Sequence, residues 1–284
     1  MRGKMASALI RLWKKLLIGA SLPVIHAEYF RSATGREYNV GFLKKVQLAY
    51  RMAANRKRIA TASHFVEHLV MATEILKIPK SVAGCVVECG SYKGGSATNL
   101  SLVCALCNRE LEIFDSFRGL PDPSESDREH ALVSDQEIHT YSRGAWSGTL
   151  DEVKRNISEH GKIEVCKFNV GYFENSLPQF DKKCALVFLD VDLVDSLKAC
   201  VTYLWPLLQD GCYLFTHEAK HSEIPEMFFD GGWWNSMLHC KAPGLIGAGS
   251  GLGLLPSPGG YGSALGYTVK NPPLFNFKVN PQLG

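Results

Sequence analysis

The feature that most limits the fold of this chain is a rhythm of short apolar runs, several closing in a carboxylate, separated by helix-length segments. The runs are "CVVE" (85–88), "LEIFD" (111–115), "IEVCKF" (163–168), "ALVFLD" (185–190) and "GCYLFT" (211–216). Between them, Gly95 to Cys107, Gly148 to Glu159 and Asp195 to Leu208 carry helical patterning. Continuous apolar strands that alternate with helices imply a mostly parallel sheet covered on both faces. The expected class is α/β.

Residues 1–80 read as helical, ending in "TASHFVEHLVMATEIL" before Pro79. The expected organisation is therefore a helical appendage over 1–80 and one large α/β domain over 81–284. A chain of 284 residues that is 46% apolar can build a core of that size. Residues 116–146 are polar, contain proline and run longer than an ordinary connection, which is the pattern of a lid. The Gly- and Pro-rich tail offers two more apolar runs, "LGLL" (252–255) and "ALGYTV" (264–269), to finish the sheet.

Charge and cysteine usage narrow the setting. A net charge of +3 argues against a nucleic-acid partner, because phosphate backbones demand concentrated basic faces. Nine cysteines without framework spacing indicate a reducing compartment, so the expected location is cytoplasmic. Cys104 and Cys107 form a CxxC inside a presumed helix with no second pair, which reads as core packing. Near the N-terminus, Leu9, Leu12, Trp13, Leu16 and Leu17 recur at helical spacing, with Arg11, Lys14 and Lys15 opposite. That segment is too interrupted to cross a membrane and lacks a signal-peptide pattern. It suits either a membrane-surface helix or, as the preferred reading, a helix packed on its own domain or a partner subunit.

Open α/β sheets bind ligands beyond the carboxyl ends of their strands. The first strand ends at Glu88 and turns through Gly90, Gly94 and Gly95. The spacing is not GxGxxG, and no GK[ST] follows, so neither a dinucleotide nor a phosphate loop is indicated. An acid followed by such a turn suits a cofactor with amino and ribose groups, or is a plain glycine turn. Asp115 ends the second strand, where an acid accepts ribose hydroxyls or caps a helix. Asp190 and Asp192 close the fourth strand and His217 and Glu218 the fifth. Converging carboxylates and an imidazole can ligate a divalent metal or supply a general base. "HFVEH" sets His64, Glu67 and His68 in the order of some zinc proteases, but no context supports that reading. "GLIGAGSGLGLL" reads as a loop.

"VVECGSYKGGSA", "IFDSFRGLPDP", "GTLDEVKRNISEHG", "VGYFENSLP" and "LDVDLVDSLKACVTYLWPLLQDGCYLF" occur in the order seen in macrocin O-methyltransferases. Over roughly residues 58 to 220 the chain resembles this TylF-type family. The resemblance implies a Rossmann-like class I S-adenosylmethionine methyltransferase fold with a seven-stranded, mostly parallel sheet and helices on both faces. It implies methylation of a hydroxyl on a small molecule, a sugar of a natural product or glycoconjugate, assisted by magnesium, in a homodimer or larger assembly. Position by position, Glu88 and Gly90 would line the methionine end of the cofactor, Ser91 and Gly94 would also bind it, and Asp115 would hold the ribose with Ser116 close by. Gly171 to Phe173 and "YSRGAWS", with Ser142, would flank the adenine. Asp190 would serve cofactor and metal.

The family usually shows two aspartates where this chain has His217 and Glu218. A histidine there shifts the preference from magnesium toward manganese, another metal or none. The acceptor proton would pass to a metal-bound site at Asp190, His217 and Glu218, to His217 alone, or to a lid histidine, His130 or His139. Two alternatives accompany this reading: a non-catalytic methyltransferase-like binding protein, and a metal-free N-methyltransferase.

Overall fold

A computed structural model describes residue 13 and residues 27–125, 127, 132–134, 137–139, 141–219, 223–246 and 264–272, the spans 132–134 and 137–139 by backbone alone. The first three helices are α1 (Ala27–Phe30), α2 (Phe42–Asn55) and α3 (Phe65–Lys77). Strand β1 (Cys85–Cys89) leads through the glycine turn to α4 (Gly95–Cys107), and β2 (Leu111–Asp115) follows. The long excursion holds a small antiparallel hairpin, β3 (Leu132–Ser134) with β4 (Glu137–His139). Then come α5 (Leu150–His160), β5 (Cys166–Val170), α6 (Phe173–Ser176), β6 (Cys184–Leu189), α7 (Val194–Leu207) and β7 (Leu208–Thr216). Helices α8 (Glu223–Met227) and α9 (Gly231–Leu238) precede the last described strand, β8 (Gly266–Val269).

The main sheet has the order β5-β2-β1-β6-β7-β8. All neighbours are parallel except β7 and β8. β1 and β6 are buried along their whole length, as strands covered on both faces must be. One apolar cluster lies under α2, α3, α4 and α5. The other lies on the opposite face, where Trp205 of α7 and Trp234 of α9 meet edge to face at 4.9 Å.

α4 is buried almost throughout, its small polar side chains Ser96, Thr98, Asn99 and Ser101 included, because α2, α3 and α5 all pack on it. α3 begins with a capping box. Its N-cap His64 accepts from the Val66 N–H, and the Glu67 carboxylate accepts the His64 N–H at 2.7 Å. The fifth expected strand starts earlier, at Leu208, and the third starts later, after a 3-10 turn over 163–165. Six strands form the sheet among the described residues, against seven expected. "ALGYTV" supplies the antiparallel edge, whereas "LGLL", His130 and most of the Gly-rich loop lie outside the described residues. Cys104 and Cys107 are buried in the core and unpaired, as their setting in an apolar helix indicates.

Candidate functional site

From β1 the chain moves to β2 on one side and later to β6 on the other, so the strand order reverses beside β1. A crevice opens beyond the carboxyl ends of strands at such a reversal. Here it is a cavity of about 320 Å³, lined by the turns after β1, β2, β6 and β7 and by parts of the lid.

Gly90 makes this floor possible. Its φ is +84°, and a Cβ on it would stand 1.9 Å from the carbonyl oxygen of Asp190. Only glycine allows the two strand ends to cross so closely. Beneath the turn, Glu88 is fully buried, and neither of its carboxylate oxygens is hydrogen-bonded. Burial pushes its pKa up to about 8, an effect the nearby Ser96 hydroxyl only partly offsets. Asp115 accepts from the backbone N–H and hydroxyl of Ser91, at 2.7 and 3.0 Å, and from the Phe117 N–H at 2.7 Å. That clamp fixes the carboxylate at the cavity wall.

The turns after β6 and β7 bring the second group together. The β6–β7 pairing continues through the His217 N–H to the Leu189 carbonyl, which sets His217 and Glu218 beside Asp190. The chain after β6 is not extended. Asp192 takes a left-handed φ of 62°, and its N–H donates to Glu218 Oε1. Asp190 and Asp192 nonetheless both line the cavity.

His217 lies between two carboxylates: Nδ1 is 3.3 Å from Asp190 Oδ1, and Nε2 is 3.2 Å from Glu67 Oε2. Burial opposes a charge on this ring, but Asp190 and then Glu67 outweigh it and hold the pKa well above the usual range. Glu218 and Asp192 are raised by burial first and by neighbouring carboxylates second, Asp192 to about 7. Asp190, His217 and Glu218 can each offer one ligand atom, all within 4.8 Å of one another. Over them sits Tyr141, a buried lid residue within hydrogen-bonding reach of Asp192.

The expected site residues divide in two. Gly90, Ser91, Asp115, Ser116, Phe173, Asp190, His217 and Glu218 line the cavity. Glu88, Gly94, Ser142 and Gly171 do not: Glu88 is sealed below the floor, Ser142 faces solvent, and Gly94 and Gly171 take the left-handed backbone that shapes the turns. His139 belongs to β4, described by backbone alone.

Glu67 is the residue that sequence reasoning missed. "HFVEH" is not a zinc site, for His68 is buried between Ser63 Oγ and Asn99 Nδ2, both at 2.8 Å. Its glutamate instead reaches His217, 150 residues further along. Tyr92 and Thr61 also line the cavity unforeseen, whereas Trp146 and Tyr172 belong to the segments expected to flank the adenine.

The sequence model of the Macrocin-O-methyltransferase (TylF) family matches residues 34–225. Among curated proteins no sequence matches the chain. Among solved structures, the calicheamicin methyltransferase CalS11 is 16% identical over 80% of this chain and 92% of its own, with a TM-score of 0.50. The O-methyltransferase NovP is 17% identical over 90% and 98%, with a TM-score of 0.49. The likeness to CalS11 shows a shared fold.

Proposed function

Because the chain belongs to the macrocin O-methyltransferase (TylF) family, we propose that this cavity seats S-adenosylmethionine at Asp115 and Gly90 and a small hydroxylated acceptor beside Asp190 and His217. The protein is an S-adenosylmethionine-dependent O-methyltransferase. The acceptor we favour is a sugar hydroxyl of a natural product or glycoconjugate.

One observation carries the assignment of the cavity. Its described lining holds four acidic side chains, Asp115, Asp190, Asp192 and Glu218, against one group that favours a positive charge, His217, and no lysine or arginine. Such a wall repels phosphates and attracts a cation. The sulfonium and the ammonium of S-adenosylmethionine are both cations, and its ribose matches a clamped aspartate. Tyr92, Trp146, Tyr172 and Phe173 add flat apolar surface for an aromatic base. The bound cofactor supplies an electrophilic methyl group.

The chain's own residues do the rest. They align the acceptor oxygen with the donor, which is where most of the rate enhancement in a transfer of this kind originates. Glu67 and Asp190 hold the His217 ring from both sides, so its orientation is set before the acceptor arrives. The proton leaving the acceptor hydroxyl passes to a carboxylate of the cluster, Asp190 or Asp192, because Asp190 and Glu67 favour a His217 ring that already carries its own proton. Asp190, His217 and Glu218 also fit a divalent cation, for which a mixed oxygen and nitrogen set favours manganese over magnesium. Such an ion would lower the pKa of the acceptor hydroxyl. Tyr141 and Trp146 close the lid side against water.

The transferase domain proper is residues 81–284, and the helical part before it contributes Glu67. No described helix is long and apolar enough to cross a membrane. Cytoplasmic residence and a homodimer are part of the same proposal.

Calorimetric titration with S-adenosylmethionine tests the reading. Saturable binding is expected in the wild type, at least about tenfold weaker in Asp115→Ala, given the loss of charge-assisted ribose bonds. NAD, with its phosphates, is expected not to bind. Absence of S-adenosylmethionine binding in well-folded protein would overturn the proposed seat.

A further inference from the structure

α2 is apolar on two opposite faces. Leu48 and Met52 point into the core, while Phe42, Leu43, Val46 and Tyr50 are 62, 75, 42 and 75% exposed. At the helical period those four side chains form a single stripe on the far side from the buried face. A helix that is hydrophobic on both faces is ordinarily covered on both.

The charge around the stripe selects its partner. Residues 1–58 carry thirteen lysines and arginines against two acids, Glu28 and Glu37, a net of +11. The remaining residues carry 18 basic and 26 acidic side chains, a net of −8. α2 itself has no acid, and Arg56, Lys57 and Arg58 at its end are exposed. The 26 residues that precede α1 have none either, and they bear the basic amphipathic pattern with Trp13, which is 62% exposed.

We propose that this basic, apolar-striped N-terminal face docks on an anionic lipid bilayer. A second copy presenting the same face would bring two segments of +11 together, and the chain's own residues 1–26, with five basic side chains and no acid, are positive as well. Like charge opposes both occupants. A nucleic acid would satisfy the cations but not four large exposed apolar side chains. Acyl chains below anionic headgroups satisfy both at once. The acidic remainder of the molecule is repelled by the same surface, so the polarity also orients the protein. The inference does not depend on the identity of the methyl acceptor.

Co-sedimentation of the full chain with vesicles tests it. Binding is expected to phosphatidylcholine vesicles containing phosphatidylserine, to weaken as salt rises, and to vanish on phosphatidylcholine alone. The variant Phe42→Ser/Leu43→Ser/Tyr50→Ser is expected to bind at least about tenfold less, with its Tm unchanged. Should that variant unfold, Tyr50→Ser alone and Arg11→Glu/Lys14→Glu/Lys15→Glu give the same direction. Three results would overturn the proposal: no binding to the anionic vesicles, equal binding by the stripe variants, or a wild-type dimer that the stripe variants abolish. Duplex DNA binding lost in the same variants would overturn it too.

Discussion

Glu67 shows how much of a site can lie in one unlooked-for side chain. It closes the capping box of its own helix through the His64 N–H and also supports His217. Partners that orient a catalytic imidazole are worth about 10–100-fold when removed. Glu67→Gln is therefore expected to lower kcat by about that factor, with the affinity for S-adenosylmethionine unchanged. Single-turnover kinetics beside calorimetry separates the two quantities.

Glu88 gives the clearest pH signature. Its carboxyl is protonated in the folded chain up to about pH 8, whereas an unfolded chain releases that proton near 4.5. The folded state holds the extra proton throughout that window, so stability is full below it and falls as pH rises toward 8. The loss is on the order of 5 kcal/mol at the upper end. Glu88→Gln is expected to flatten the decline of Tm between about pH 5 and 9 relative to wild type. His68 acts in the opposite sense. Burial lowers its pKa to about 4, so it withdraws stability as pH falls from about 6.5 to 4.

At the scale of elements, the strands were legible because parallel strands buried on both faces cannot alternate, and unbroken apolar runs betray them. "LEIFD" and the helix from Gly95 to Cys107 coincide with their observed bounds. Strand ends then located Asp115, Asp190, His217 and Glu218, since the topology alone delivers them to one crevice. What stayed hidden were contacts with no local pattern: the reach of α3 to His217 beyond β7, and the bonds that tie the lid down. Asp127 illustrates the second case. It binds Ser124 within the lid and caps α7 by accepting the Val194 N–H at 3.1 Å. Asp127→Ala is expected to cost about 1 kcal/mol and to expose the lid to proteolysis while the sheet stays intact. Gly90→Ala belongs to this scale as well, because its methyl group would part β1 from β6. A loss of at least about 2 kcal/mol is expected in denaturant unfolding, from strain and overlap together.

Across the whole molecule, the sheet separates two functions by position. Its carboxyl edge gathers the acids around the cavity, and the helices packed on one face carry the basic, apolar stripe. No composition figure reveals this, because +11 and −8 nearly cancel in the total.

The cysteines carry a consequence of a different kind. All nine are unpaired, and eight are buried, several with thiol pKa values raised by burial. A thiolate is the reactive form, so these sulfurs are silent while the chain is closed. Only the half-buried Cys240 is open to attack. The protein thus records its own openings: each excursion that bares a core layer becomes a permanent chemical mark in the presence of an alkylating reagent. Timed labelling read by mass would show which layers part first, with no probe added to the molecule.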